Sequence, residues 1–187
     1  TSLPVTHEVS VFNSYKLHET EQYNLLHSGK QWFGEKFING TSKNFVFDVT
    51  NADLSSEITI TVKGAARSFE PSKFSLKANE QAIGELNFYQ VNTGDVTSLY
   101  ADLRSERLTT NTTANQLTLN VGYTAGNNNA EAWLDYVEIN FMKKLQHEDK
   151  PLFFRELNSV GLNNVVEFAI ENATSETRIW DVTNMND

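Results

Sequence analysis

Apolar and polar residues alternate with a period of two along most of this sequence, and this alternation constrains the fold more than any other feature. In the clearest run, Ile58, Ile60 and Val62 alternate with polar residues, as in a strand that buries one face. Similar runs lie at residues 45–49, 74–78, 117–123 and 166–170. The sequence therefore predicts a protein built from many half-buried strands.

The most apolar run covers residues 133–141. It is apolar on both faces near Leu134 and Tyr136 and alternates beyond them, which predicts a central strand that is covered on both sides. Turns rich in Gly, Asn and Pro separate the runs, and the only helical signal, at residues 17–26, is weak. Strands without intervening helices predict an all-β fold, an antiparallel β-sandwich of jelly-roll type.

The same patterns divide the chain into three parts. Residues 1–30 are polar and lack strong alternation, so we expect a short connector that leads into the domain. Residues 31–146 carry the predicted sandwich. A charged turn then leads into residues 147–187, where we expect further strands that extend the sandwich or link it to an adjoining domain. Because the chain starts at Thr1 and not at Met, we also expect an excised or processed piece of a longer protein.

Composition argues against several classes of function. The chain has 15 Lys and Arg against 24 Asp and Glu, a net charge of −9, which disfavours nucleic-acid binding through phosphates. It contains no cysteine, so it holds neither a cysteine nucleophile nor a disulfide. None of its four histidines belongs to a hydrolase or zinc motif, and no apolar run is long enough for a membrane helix. We therefore expect a domain that is not an enzyme and does not span a membrane.

Two aspartates stand out because strands seldom bury charge. Asp135 precedes Tyr136, and Asp181 follows Trp180, so all four are candidate ligand-binding or structural residues. The sequence leaves two roles open for either carboxylate: a ligand of a structural Ca²⁺, or an aspartate at the rim of a sheet that pairs with a nearby cation. The cations considered are Lys143 and Arg178. Apart from this Ca²⁺, we expect no cofactor.

Aromatic rings are the other candidate binding feature, since a flat ring can cover the apolar face of a sugar. Trp32 is the foremost of these candidates. Trp32 and Trp133 both lie beside strongly apolar neighbours, however, and this favours packing in the core over contact with a ligand.

Three segments, taken in order, resemble a known family. They are Ser-Gly-Lys-Gln-Trp-Phe-Gly-Glu-Lys-Phe at residues 28–37, Ala-Trp-Leu-Asp-Tyr-Val-Glu-Ile-Asn at 132–140 and Arg-Ile-Trp-Asp-Val-Thr at 178–183, with Phe-Phe-Arg at 153–155 before the last. In this order they resemble the region ahead of the peptidase domain in gingipain-like cysteine peptidases, in particular the sortases of the type IX secretion system.

The resemblance implies a non-catalytic β domain that supports the peptidase domain and the docking of exported cargo. In this family a cysteine nucleophile and a histidine base of a later domain remove the C-terminal sorting signal from cargo. No catalytic residue carries over, because this chain has no cysteine. The implied partners are the downstream peptidase domain of the same polypeptide, exported cargo and other subunits of the secretion system. The implied location is the cell surface, in association with the outer membrane.

A second interpretation stays open. A Leu-Asp-Tyr strand like residues 134–136 also occurs in jelly-roll carbohydrate-binding modules, so this segment does not separate the two families. Under this interpretation a glycan is the ligand, Asp135 lies near a structural Ca²⁺, and an aromatic ring lies on a face of the sheet.

Overall fold

A computed structural model describes residues 4–27, 31–148, 150–157 and 159–182. Ser28, Gly29, Lys30 and Thr183, which contribute to the family resemblance, lie outside these residues. The described part of the chain contains no helix, and hence none that is long and apolar enough to cross a membrane. Its strands are β1 (His7–Val9), β2 (Val11–Glu19), β3 (Lys36–Ile38), β4 (Ser42–Asp48), β5 (Ile58–Arg67), β6 (Ser72–Ala78), β7 (Gln81–Phe88), β8 (Asp102–Thr110), β9 (Gln116–Ala125), β10 (Glu131–Lys144) and β11 (Val166–Phe168).

Two antiparallel sheets form the body of the protein. The five-stranded sheet has the order β2-β10-β5-β8, and β3 pairs with one end of β10. The four-stranded sheet has the order β4-β9-β6-β7. A small third sheet pairs β1 with β11 in parallel. The predicted all-β fold, an antiparallel β-sandwich, is confirmed.

The core lies between the two main sheets and is filled by alternate residues of their strands. Ile60 and Val62 of β5 and Leu119 and Val121 of β9 are completely buried. At one end, the ring of Phe74 packs against three other aromatic rings at centroid distances of 5.0–5.7 Å. These rings belong to Phe37, Phe88 and Tyr123. The sequence alternates with a period of two because every second residue of these strands faces this shared interior.

The prediction of a connector at residues 1–30 is corrected by β2, which pairs with β10 from Val11 to Glu19. Its alternation is inverted with respect to the other strands. Lys16 pairs with the buried Ile139, so it lies on the inner face, whereas Tyr15 and Leu17 are at least half exposed on the outer face. The strand lies at the edge of its sheet, where the interior opens to water and accepts polar side chains. The weak helical prediction at residues 17–26 is also wrong, because residues 17–19 belong to β2 and residues 20–26 form no helix.

The chain beyond residue 147 contributes little to either main sheet. Its only strand in the described residues is β11, which pairs with β1. Backbone hydrogen bonds also fasten it just after β10, where Glu171 N–H donates to Leu145 C=O at 2.9 Å and His147 N–H donates to Glu171 C=O at 2.8 Å. We call residues 150–182 the C-terminal arm.

The aromatic group around Phe74 predicts a large effect of one substitution. Phe74→Ala should lower the free energy of unfolding by about 3–5 kcal/mol, because it opens a cavity among rings that are fully buried. Phe69 is 52% exposed, so Phe69→Ala should change it by no more than about 0.5 kcal/mol. Urea denaturation followed by circular dichroism measures both values. Equal losses in the two variants would contradict this account of the core.

Candidate functional site

The longest strand, β10, changes the phase of its alternation at Asp135. Leu134 faces the core, as do Val137 and Ile139, so the two halves of the strand are out of step by one residue. The register with β5 shifts between Leu134 and Tyr136. The extra residue is a β-bulge, and it places Asp135 and Tyr136 together on the outer face of the five-stranded sheet.

Asp135 is buried and paired. Its Oδ2 atom lies 3.0 Å from Nζ of Lys63, the β5 residue that pairs with the neighbouring Tyr136. Gln31 donates a second hydrogen bond to the same oxygen, at 3.3 Å. The Lys63 ammonium also lies 5.6 Å from the centre of the Tyr136 ring, within range of a cation–π interaction. The cation and the donor together compensate the burial of the carboxylate.

The pairing of Asp135 with Lys143 or Arg178 is therefore wrong. Lys143 instead donates a hydrogen bond of 2.5 Å to Oε1 of Glu148. This hydrogen bond lowers the pKa of the Glu148 carboxyl group below its usual value. The sequence does not predict Lys63 as the partner of Asp135, because neither strand alone specifies the register between β5 and β10. The one available signal is that Lys63 is the only cation in the alternating run at residues 57–63.

Beside Asp135, a small apolar cluster covers one end of the same outer face. Trp133, Phe33 and Ala65 are buried there. The chain before β3 folds over them, held by a bridge between Tyr23 and Phe33. This segment confirms that β10 is covered on both sides near its start. It also explains the burial of Trp133, which is 3% exposed.

Trp32 does not follow Trp133 into the interior. Its side chain is 43% exposed, although Phe33 beside it is buried. The expectation that Trp32 packs in the core is therefore wrong. The exposed ring of Trp32 directly follows Gln31 in the sequence, and Gln31 is the residue that hydrogen-bonds to the buried Asp135 carboxylate.

Trp180 and Asp181 lie elsewhere, in the C-terminal arm. Both side chains are exposed, and that of Trp180 is 82% exposed. They are therefore not part of the outer-face group formed by Asp135, Tyr136 and Lys63.

The surroundings of Asp135 do not fit a calcium ion. Calcium prefers six to eight oxygen ligands, whereas the Asp135 carboxylate already faces an ammonium group. In the described part of the chain, no group of three or more His, Asp or Glu side chains could hold a metal ion. A structural Ca²⁺ remains a prediction without an assigned site.

Comparison with known proteins gives a result for structure only. No protein-family model matches the chain, and no curated protein sequence matches it. Among solved structures, dimeric latent PorU from Porphyromonas gingivalis matches with a TM-score of 0.75 and 21% sequence identity. The match covers 92% of this chain and 17% of the PorU chain. The chain thus has the fold of one part of a much longer protein.

Carbohydrate-binding modules match less closely. A family 36 module in complex with calcium and xylotriose has a TM-score of 0.42 and 12% identity, over 67% of this chain and 98% of the module. A family 35 module from Clostridium thermocellum has a TM-score of 0.42 and 8% identity, over 69% of this chain and 90% of the module. Both scores are too low to support an assignment.

The asymmetric burial of Lys63 and Asp135 predicts unequal effects of removing either charge. Lys63→Met should lower the free energy of unfolding by about 2–3 kcal/mol, because it leaves a buried carboxylate without its cation. Asp135→Asn should cost about 1 kcal/mol or less, because the Lys63 side chain, 30% exposed, can extend into water.

Urea denaturation at neutral pH measures both losses. Lys73→Met is a matched control, since Lys73 forms an exposed ion pair with Glu85 and its loss should change stability by about 0.5 kcal/mol at most. A larger loss for Asp135→Asn than for Lys63→Met would contradict the assignment of Asp135 as the buried partner.

Proposed function

We propose that this chain is a non-catalytic β-sandwich domain of a PorU-like surface peptidase of the type IX secretion system, where it supports the peptidase domain and the docking of cargo. The observation that carries the proposal is the likeness of fold to PorU over 92% of the chain. The three ordered segments that resemble gingipain-like sortases support the same assignment. The absence of cysteine from the sequence leaves the nucleophile to another part of the polypeptide.

The surface of the C-terminal arm supports a neighbouring domain in the same polypeptide. Seven large apolar side chains of its described residues are more than half exposed: Phe153, Leu157, Val160, Leu162, Ile179, Trp180 and Val182. Soluble domains seldom leave so many apolar side chains uncovered in one segment. A domain that packs against the arm would remove them from water.

The arm is nevertheless anchored to the sandwich near its start. The ring of Phe154 lies 6.0 Å from that of Phe12 and 5.3 Å from that of Phe168. Phe168 belongs to β11, which pairs with β1. This anchoring would fix the position of a following domain with respect to the sandwich. The sandwich would support the peptidase domain in this way.

Export to the cell surface and contact with cargo follow from the same proposal. The net charge of −9 favours association with basic segments of a partner protein. An antibody against this chain, used on fractionated source cells, should detect a band far above 21.1 kDa in the outer-membrane fraction. A band near 21 kDa in a soluble fraction would reject the assignment.

A carbohydrate-binding module is the second candidate function, and the exposure of Trp32 favours it. If Trp32 stacks on a sugar, Trp32→Ala should abolish binding to a glycan array while the circular dichroism spectrum stays unchanged. A chain that binds no glycan, with a thermal midpoint indifferent to chelator, would count against this alternative.

The exposed side chains of the arm should respond differently to substitution in the isolated chain and in the parent polypeptide. In the isolated chain, Ile179→Ser with Trp180→Ser should change the free energy of unfolding by no more than about 0.5 kcal/mol, because both side chains are exposed. In the parent polypeptide, the same variant should speed limited proteolysis after the sandwich, because the covering contacts are lost. Val46→Ser, at an exposed position of β4, is the control. Unchanged proteolysis of the arm variant would show that no domain packs there.

A further inference from the structure

An open polar groove of about 400 Å³ lies on the outer face of the five-stranded sheet. Polar side chains from four strands line it: Asn13, Thr59, Thr61, Arg107, Glu138 and Asn140. Its volume falls within the range of about 300–1,000 Å³ that is usual for small-molecule sites. Phe141 and Met142 of β10 also line it, whereas the residues of the apolar cluster around Trp133 do not.

The register of the sheet arranges five of these side chains, all but that of Asn13, in two rows that cross the strands. One row runs through Leu17, Glu138, Thr61 and Arg107. The next row runs through Tyr15, Asn140, Thr59 and Thr109. Directly opposed residues of antiparallel strands share a face, so each row presents its side chains to the same side. At the usual strand spacing of about 4.8 Å, a row across four strands spans about 14 Å.

The rows combine hydrogen-bond donors and acceptors. Thr59 and Thr61 offer hydroxyl groups that donate and accept, and Arg107 offers a fork of N–H donors. Asn140 donates a hydrogen bond of 2.6 Å to Oε1 of Glu138, which holds both side chains in place and leaves one further oxygen on each. A ligand with many hydroxyl groups could satisfy this mixture of partners along its whole length.

Two exposed apolar side chains of β2 lie at the ends of the rows, because Tyr15 pairs with Asn140 and Leu17 pairs with Glu138. Tyr15 is 64% exposed and Leu17 is 50% exposed, although each lies in a regular strand. Their positions at the ends of the two rows place an aromatic ring and an aliphatic side chain beside the polar groups. A sugar ring has the same two characters, since its edges carry hydroxyl groups and its face carries C–H groups.

The charge of the groove selects against other ligands. The lining contains one cation, Arg107, and two carboxylates, Glu138 and Glu57, so it offers no net positive charge to a phosphate or nucleic acid. An extended peptide would gain its main-chain hydrogen bonds at the edge of a sheet, whereas this groove crosses the middle of one. We propose that the groove binds a neutral oligosaccharide laid across the strands, with its hydroxyl groups on the two rows and a sugar face against Tyr15.

A glycan array of neutral oligosaccharides of glucose, xylose, mannose and galactose, probed with the purified chain, tests the proposal. We expect binding to at least one of them. Isothermal titration with that oligosaccharide should then show affinity reduced about tenfold by Tyr15→Ala and by Thr61→Val, the change expected from losing a ring contact or one hydrogen bond. Thr61→Val keeps the shape and strand propensity of the residue and removes only the hydroxyl group, so a folding defect is not expected.

Matched controls lie on the other sheet. Asn44→Ala and Val46→Ala change exposed side chains of β4 and should leave the affinity unchanged. A chain that binds no oligosaccharide overturns the proposal, as does binding that survives Tyr15→Ala and Thr61→Val. Binding lost only in Trp32→Ala would place the sugar at a different site and overturn it as well. The test uses this chain alone, so its outcome is independent of the proposed role beside a peptidase domain.

Discussion

The pairing of β10 with its neighbours is the interaction on which the rest of the structure depends. This 14-residue strand hydrogen-bonds to β2 on one side, to β5 on the other and to β3 at its start. Its apolar residues change phase between Leu134 and Val137, and a strand without a bulge would expose one of the two sets. The bulge at Asp135 lets both halves of β10 face the same core. It is therefore a requirement of the hydrophobic pattern rather than a defect in the sheet.

The bulge also determines how the outer face of the sheet is used. It turns Asp135 outward, where Lys63 and Gln31 compensate its charge. On one side of this polar group, the chain before β3 covers Trp133. On the other side, the face stays open and polar. A single irregularity thus separates a covered half of the sheet from an accessible half.

Burial explains which parts of this arrangement the sequence predicts. The strands β5 and β9 are evident because the core imposes a period of two on them. The edge strand β2 is not, since polar Lys16 faces inward and Tyr15 faces water. The Asp135–Lys63 pair depends on a register between segments more than seventy residues apart, which neither segment specifies. Even the bulge is legible in the change of phase along β10, but only once the strand is known to face one core.

The C-terminal arm and the polar groove differ in the kind of partner that they require. Exposed apolar side chains in the C-terminal arm cost free energy for as long as water covers them, so they fit a partner that stays in place. The polar groove bears no such cost, because water satisfies its donors and acceptors when it is empty. A ligand there has only to match the hydrogen bonds of the water that it displaces, which suits reversible binding. One small sandwich can therefore combine a permanent attachment at its arm with an exchangeable ligand on its sheet, and the chemistry of each surface determines which is which.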